Sequence, residues 1–250
     1  MKRKKINKKG FGRGIYILPN IFTSLNIFCG FYAIISAIDG KYIAAAIAII
    51  IAVVFDILDG KIARATKTAS RFGVEYDSLA DLISFGLAPG LMIYLWALEP
   101  LGRIGWLGAF LFMTCGALRL ARFNTQTGSS SEYFIGLPIP AAAGMAATTV
   151  LFCHRFNIAG NANPVVIIVM LYMLAFLMVS TIKYYSFKKN PELFRKMNFN
   201  VLVTVILVLI FIAAQPPIAL FLLGLVYLAS GPIITIRHHK VIKQKEAESR

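Results

Sequence analysis

The sequence predicts an all-α integral membrane protein, a bundle of about eight transmembrane helices with both termini on the cytoplasmic side. Three observations predict it. First, 58% of the 250 residues are hydrophobic and the mean hydropathy is +0.72, more than an ordinary soluble domain carries. Second, the apolar residues fall in runs close to the roughly 20 residues a helix needs to span a bilayer. Third, lysines and arginines gather between those runs and at both ends, with a formal net charge of +15. That placement matches a membrane face against anionic lipid, not a nucleic-acid partner.

Eight segments qualify as spans: Leu18 to Ile38, Tyr42 to Ala65, Tyr76 to Leu98, Ile104 to Ala121, Phe134 to Cys153, Pro164 to Tyr184, Val201 to Ala214, and Pro217 to Ile236. Gln215, Pro216 and Pro217 read as a tight turn between the last two. With the N-terminus inside, Lys61, Arg64, Lys67, Arg71, Arg119, Arg122, Lys183, Lys188, Lys189, Arg195 and Lys196 lie on the cytoplasmic side. Lys41, Arg103 and Arg155 fall outside. The expected organisation is one membrane domain over 1–250, with a basic segment at 1–14 and a polar tail at 240–250. The opening MKRKKINKK is read as a retained basic anchor, because no small-residue cleavage site follows the first apolar run.

Cys29, Cys115 and Cys153 are scattered in apolar sequence and read as small buried hydrophobes. No C-x-x-C or zinc spacing is present. The chemistry lies elsewhere. Four of the chain's five aspartates, Asp56, Asp59, Asp77 and Asp81, occur in one stretch, DILDGKIARATKTASRFGVEYDSLAD. An ionised carboxylate at the centre of a membrane helix costs roughly 2.5–3.5 kcal/mol even on lenient scales, and four would repel one another. A divalent metal between them is the default remedy.

Helical spacing puts Asp56 and Asp59 on one face, and Asp77 and Asp81 on another. A short loop, Thr66 to Phe72, makes the two helices antiparallel neighbours, so the four acids converge. Gly60 and Ala63 flank the first pair with almost no side chain, which allows close approach of a ligand. Arg64 offers a planar donor fork to phosphate, and Gly73 lies one turn before Asp77. Hard oxygen ligands beside an arginine suit a metal bridging a diphosphate. A structural ion-pair network and a cation or proton pathway are the competing readings.

The string D-x-x-D-G-x-x-A-R-(eight residues)-G-x-x-x-D-x-x-x-D resembles the signature of CDP-alcohol phosphatidyltransferases. Every fixed position matches: Asp56, Asp59, Gly60, Ala63, Arg64, Gly73, Asp77 and Asp81. LPNIFTSLNIFCGF (Leu18 to Phe31), ALRLARFN (Ala117 to Asn124) and GLPIPAAAG (Gly136 to Gly144) resemble the phosphatidylserine synthase branch of that family. The resemblance covers the N-terminal two-thirds of the chain.

It implies displacement of CMP from CDP-diacylglycerol by an alcohol, here L-serine, with Mg²⁺ or Mn²⁺, two ions in all. Asp56, Asp59, Asp77 and Asp81 would hold metal, with Asp81 also the general base. Asn20, Thr23, Gly60, Ala63, Arg64, Ser70 and Gly73 would contact the CDP-lipid. A homodimer in the cell membrane, with its site facing the cytoplasm, is implied as well.

A serine acceptor brings a carboxylate, and Arg119, Arg122 and Asn124 form the available cluster at the end of the fourth segment. They serve equally well as positive-inside anchors or lipid-phosphate contacts. Pro138 and Pro140 would free backbone carbonyls at a similar depth. A related transferase acting on glycerol 3-phosphate or an inositol phosphate, and a cation-coupled transporter, are the alternatives.

Overall fold

The computed structural model describes residues 17–66, 70–125, 133–185 and 199–248. The basic segment at 1–14 lies outside them, as do Lys67, Lys188, Lys189, Arg195 and Lys196. The protein is a helical membrane protein. Among the described residues its long helices are α1 (Ile17–Ile38), α2 (Tyr42–Thr66), α3 (Arg71–Leu101), α4 (Arg103–Thr125), α5 (Ile139–Arg155), α6 (Pro164–Val179), α7 (Phe199–Ala214) and α8 (Pro216–Glu248). Each predicted segment overlaps one of them. Five, within α1, α2, α3, α4 and α8, are long and apolar enough to cross a bilayer by themselves.

Packing shows which faces meet protein and which meet lipid. Ala33 and Ala37 of α1 are buried with Ala45, Ala46 and Ala52 of α2, small residues that let two backbones approach, and Ile49 is buried beside them. The core continues through Phe85 and Met92 of α3, Phe112 of α4, Ala142 and Ala146 of α5, and Leu171 and Leu174 of α6. Phe28, Phe176 and Val226, by contrast, are 65%, 68% and 67% exposed. Apolar side chains turned outward on so many helices are the surface of a protein solvated by lipid tails.

Helix α3 is not uniform. It is α-helical to Asp81, widens into π-helix over Leu82–Leu87, returns to α over Ala88–Ile93, and widens again over Tyr94–Leu98. Pro89 lies inside this stretch and lacks the N–H that a regular helix would use. The first wide turn therefore begins directly after the last aspartate, a common place for such bulges.

Several expected boundaries are corrected. The third segment was expected from Tyr76, but α3 starts at Arg71 because Ser70 Oγ accepts from the Gly73 N–H at 3.0 Å and caps it. The fifth was expected from Phe134, but Tyr133–Ile135 is a strand, β1, and α5 starts at Ile139 after the extended Pro138. The sixth was expected to reach Tyr184, but α6 ends at Val179 and Lys183–Tyr185 forms β2. These two three-residue strands pair antiparallel, Phe134 opposite Tyr184. Residues 240–248 of the expected polar tail continue α8 as helix. Proline and backbone hydrogen bonding, which hydropathy does not register, set these ends.

Candidate active site

Three helices build the aspartate centre. From α2 come Asp56 and Asp59, and from α3 come Asp77 and Asp81. Carboxylate oxygens of Asp56, Asp59 and Asp77 all lie within 4.8 Å of one another, with Asp59 buried and the other two half-buried. Asp81 is buried, outside that trio, yet feels the charge of all three. Three hard, anionic oxygen donors at this spacing fit a divalent cation such as Mg²⁺ or Mn²⁺ and give soft metals no thiolate.

The third helix is α1, packed against both. Its residues Asn20, Thr23, Asn26 and Gly30 step by three or four, so they share one face. Thr23 Oγ1 lies 3.0 Å from Asp59 Oδ2 and 3.2 Å from the Pro19 carbonyl. Asn26 is fully buried, and its Nδ2 donates to Asp81 Oδ1 at 3.4 Å. Its backbone carbonyl accepts from Ser84 Oγ at 2.9 Å. At Gly30 the backbones of α1 and α3 come so close that a Cβ would overlap Ser84.

The residues expected at the CDP moiety gather beside this centre. A Cβ at Gly73 would stand 3.2 Å from Ser70 Oγ and 3.6 Å from Asn20 Oδ1, so α1 meets the start of α3 there. Arg64 folds back over Gly60, its Nη1 3.4 Å from where a Cβ would be. Arg64 is exposed, while Gly60 and Ala63 are half-buried. Thr23 differs in kind, since its hydroxyl is turned to an aspartate.

The three candidates on α4 occupy three different settings. Arg119 is 8% exposed, its Nε has no hydrogen-bond partner, and it is an electrostatic neighbour of Asp81 and Asp56. Arg122 instead donates to backbone carbonyls: Nη1 to Val179 at 2.8 Å, and Nη2 to Ile135 at 3.1 Å and Met178 at 3.3 Å. It thereby caps the end of α6 and holds the β1 segment. Gly136, directly after β1, is required there, because its φ of 79° disfavours a side chain and a Cβ would overlap the Met178 carbonyl of α6. Asn124 Nδ2 donates to Ser78 Oγ at 3.0 Å, tying α4 to α3 between Asp77 and Asp81.

Sequence reasoning missed Asn26, Ser78, Ser84 and Tyr227. Asn26 carried a signal, since it stands one turn past Thr23 on the same face. Tyr227 carried none; it arrives from α8, otherwise generic apolar sequence, as an electrostatic neighbour of Arg119.

Comparison with known proteins agrees with this geometry. The CDP-alcohol phosphatidyltransferase family model matches residues 16–180, from the start of α1 to just past the end of α6. A CDP-diacylglycerol–serine O-phosphatidyltransferase of Helicobacter pylori is 39% identical over 218 residues, covering 85% of this chain and 90% of that protein. The enzyme of the same name from Bacillus subtilis is 38% identical over 173 residues, 69% of this chain and 92% of that protein. An archaetidylserine synthase of Methanothermobacter thermautotrophicus is 38% identical over 169 residues, 67% of this chain and 69% of that protein. With the signature aspartates folded into one centre and this likeness over most of its length, the chain belongs to the CDP-alcohol phosphatidyltransferase family.

Proposed function

We propose that the protein transfers a phosphatidyl group from CDP-diacylglycerol to the hydroxyl of L-serine, giving phosphatidylserine and CMP. The observation that carries this reading is the convergence of Asp56, Asp59 and Asp77 within 4.8 Å beside a buried Asp81, in a chain so similar to serine phosphatidyltransferases.

Asn20, Thr23, Gly60, Ala63, Arg64, Ser70 and Gly73 cradle the CDP moiety. The absence of side chains at Gly60 and Gly73 admits the diphosphate close to the backbone. Asp56, Asp59, Asp77 and Asp81 would hold two Mg²⁺ or Mn²⁺ ions, which supply Lewis-acid charge to the diphosphate oxygens. Asp81 takes the proton from the serine hydroxyl as its oxygen bonds to the β-phosphorus. The bond from that phosphorus to the CMP oxygen breaks, and Arg64 stabilises the charge left on CMP. No covalent enzyme intermediate is needed, so configuration at phosphorus inverts.

Arg119 anchors the serine carboxylate, because its buried guanidinium faces the base and keeps an unused donor. Asn124 lines the same end of α4. The four carbonyl neighbours of Arg122 suit it to shaping the pocket wall more than to gripping substrate. We place the centre at the cytoplasmic face of the cell membrane, in an eight-span homodimer with both termini inside, on the distribution of lysine and arginine and on family resemblance.

The test is CMP release from CDP-diacylglycerol by purified protein in detergent with Mg²⁺ or Mn²⁺. Serine, glycerol 3-phosphate, inositol 1-phosphate and no acceptor are compared. Stimulation by serine alone, with phosphatidylserine as product, is expected. Stimulation by another alcohol overturns the acceptor assignment, and uptake of cations into sealed vesicles without CDP-lipid supports a transporter instead.

A further inference from the structure

We propose that Asn26 is a specificity-determining residue of the acceptor pocket, its Oδ1 accepting a hydrogen bond from the α-ammonium of serine while its Nδ2 holds Asp81. This rests on serine being the acceptor.

The geometry is specific. Asn26 is 0% exposed, its Nδ2 is 3.4 Å from Asp81 Oδ1, and its Oδ1 is buried with no hydrogen-bond partner. An ionised carboxylate only accepts, so the side facing Asp81 must be the NH₂ and the carbonyl oxygen must face elsewhere. A buried acceptor left unmade is costly and calls for a partner that arrives with the ligand. The backbone that carries this side chain is fixed: the Asn26 main-chain carbonyl accepts from Ser84 Oγ at 2.9 Å, and Gly30, one turn on, packs directly on Ser84.

The reach fits. The two ends of a carboxamide are about 2.3 Å apart, which puts Oδ1 within about 6 Å of the Asp81 oxygen. A serine whose hydroxyl lies on Asp81 carries its ammonium on the adjacent carbon, about 3 Å from that hydroxyl. The hydroxyl can therefore meet Asp81 while the ammonium meets Asn26. A neutral acceptor suits the position, because another carboxylate would add a fifth acid to the cluster. Arg119, on α4, repels the ammonium and attracts the carboxylate, which orients the zwitterion.

The experiment uses the full-length protein in detergent and three acceptors: serine, ethanolamine (no carboxylate) and glycerate (no ammonium). Asn26→Leu, near in size and without polar atoms, is expected to raise KM for serine about tenfold or more and to lower the preference for serine over glycerate by a similar factor. KM for CDP-diacylglycerol should stay within about twofold. Asn26→Asp keeps an acceptor oxygen but not the donor to Asp81, so it should retain the preference for serine over glycerate while kcat falls. Loss of that preference in Asn26→Asp, or its retention in a folded Asn26→Leu, overturns the proposal. Wild-type protein with no serine-stimulated CMP release defeats the serine reading itself, a result distinguishable from either.

Discussion

Thr23 of α1 and Asp59 of α2 meet at 3.0 Å, hydroxyl to carboxylate oxygen, with both residues buried. The bond ties the first helix to an aspartate of the centre and leaves that carboxylate's other oxygen for a cation. Thr23→Val keeps the shape and removes the donor. We expect about a tenfold loss of transfer at limiting Mg²⁺, largely recovered at high Mg²⁺, as for residues that orient metal ligands. CMP release titrated against Mg²⁺ measures it, and an unchanged metal dependence would count against this role.

Asp59→Asn keeps the volume and removes the charge. Transfer should fall below detection while the protein still inserts and elutes as the folded species. Full activity in this variant would falsify the assignment of Asp59 to the metal centre.

Chelation follows from the same trio of Asp56, Asp59 and Asp77. Removing divalent metal with EDTA should abolish CMP release, and Mg²⁺ or Mn²⁺ should restore it where Ca²⁺, larger and less demanding in geometry, does not. Activity persisting at excess chelator contradicts a metal-dependent centre.

Arg119 and Arg122 separate cleanly by substitution. Arg122→Met removes donors to the carbonyls of Val179, Ile135 and Met178, and should destabilise the fold by about 2 kcal/mol. Arg119→Lys loses the planar fork and should raise KM for serine about tenfold with little change in thermal stability. Thermal unfolding in detergent, alongside serine titrations, distinguishes them. The reverse pattern would exchange their roles.

Gly30 and Gly144 differ only in their surroundings. A Cβ at Gly30 would overlap Ser84, and one at Gly144 meets nothing within 4 Å. Gly30→Ala should therefore cost about 1–3 kcal/mol by forcing α1 off α3. Gly144→Ala, inside α5, should be neutral or stabilising by up to about 1 kcal/mol. Equal stability of the two variants would show that α1 and α3 are less tightly packed than this.

Much of the centre was legible in the chain because it depends on local spacing. Asp56 with Asp59, and Asp77 with Asp81, share faces by helical period alone, and a short connection forces their helices to meet. The signature singled out Gly73 and the wider family resemblance singled out Asn20 and Ser70, and the three lie together where α1 meets the start of α3. The segment ends were less legible. Hydropathy runs through Phe134 and Tyr184, whereas proline and the guanidinium of Arg122 decide where α5 begins and α6 stops.

The sequence by itself determined a lipid-solvated helical bundle, the four clustered acids and the arginine, Arg64, beside them. These follow from composition and from a period of 3.6 residues, which act within one helix or between neighbours. Only the tertiary structure decided which polar groups of distant helices complete the centre. Asn26 reaches Asp81 across 55 residues, and Arg122 reaches Val179 across 57. Tyr227 comes to Arg119 from a helix with no motif. Such pairings depend on how helices rotate and cross, and in a membrane that is set by close packing of small residues and by the need to satisfy buried polar groups.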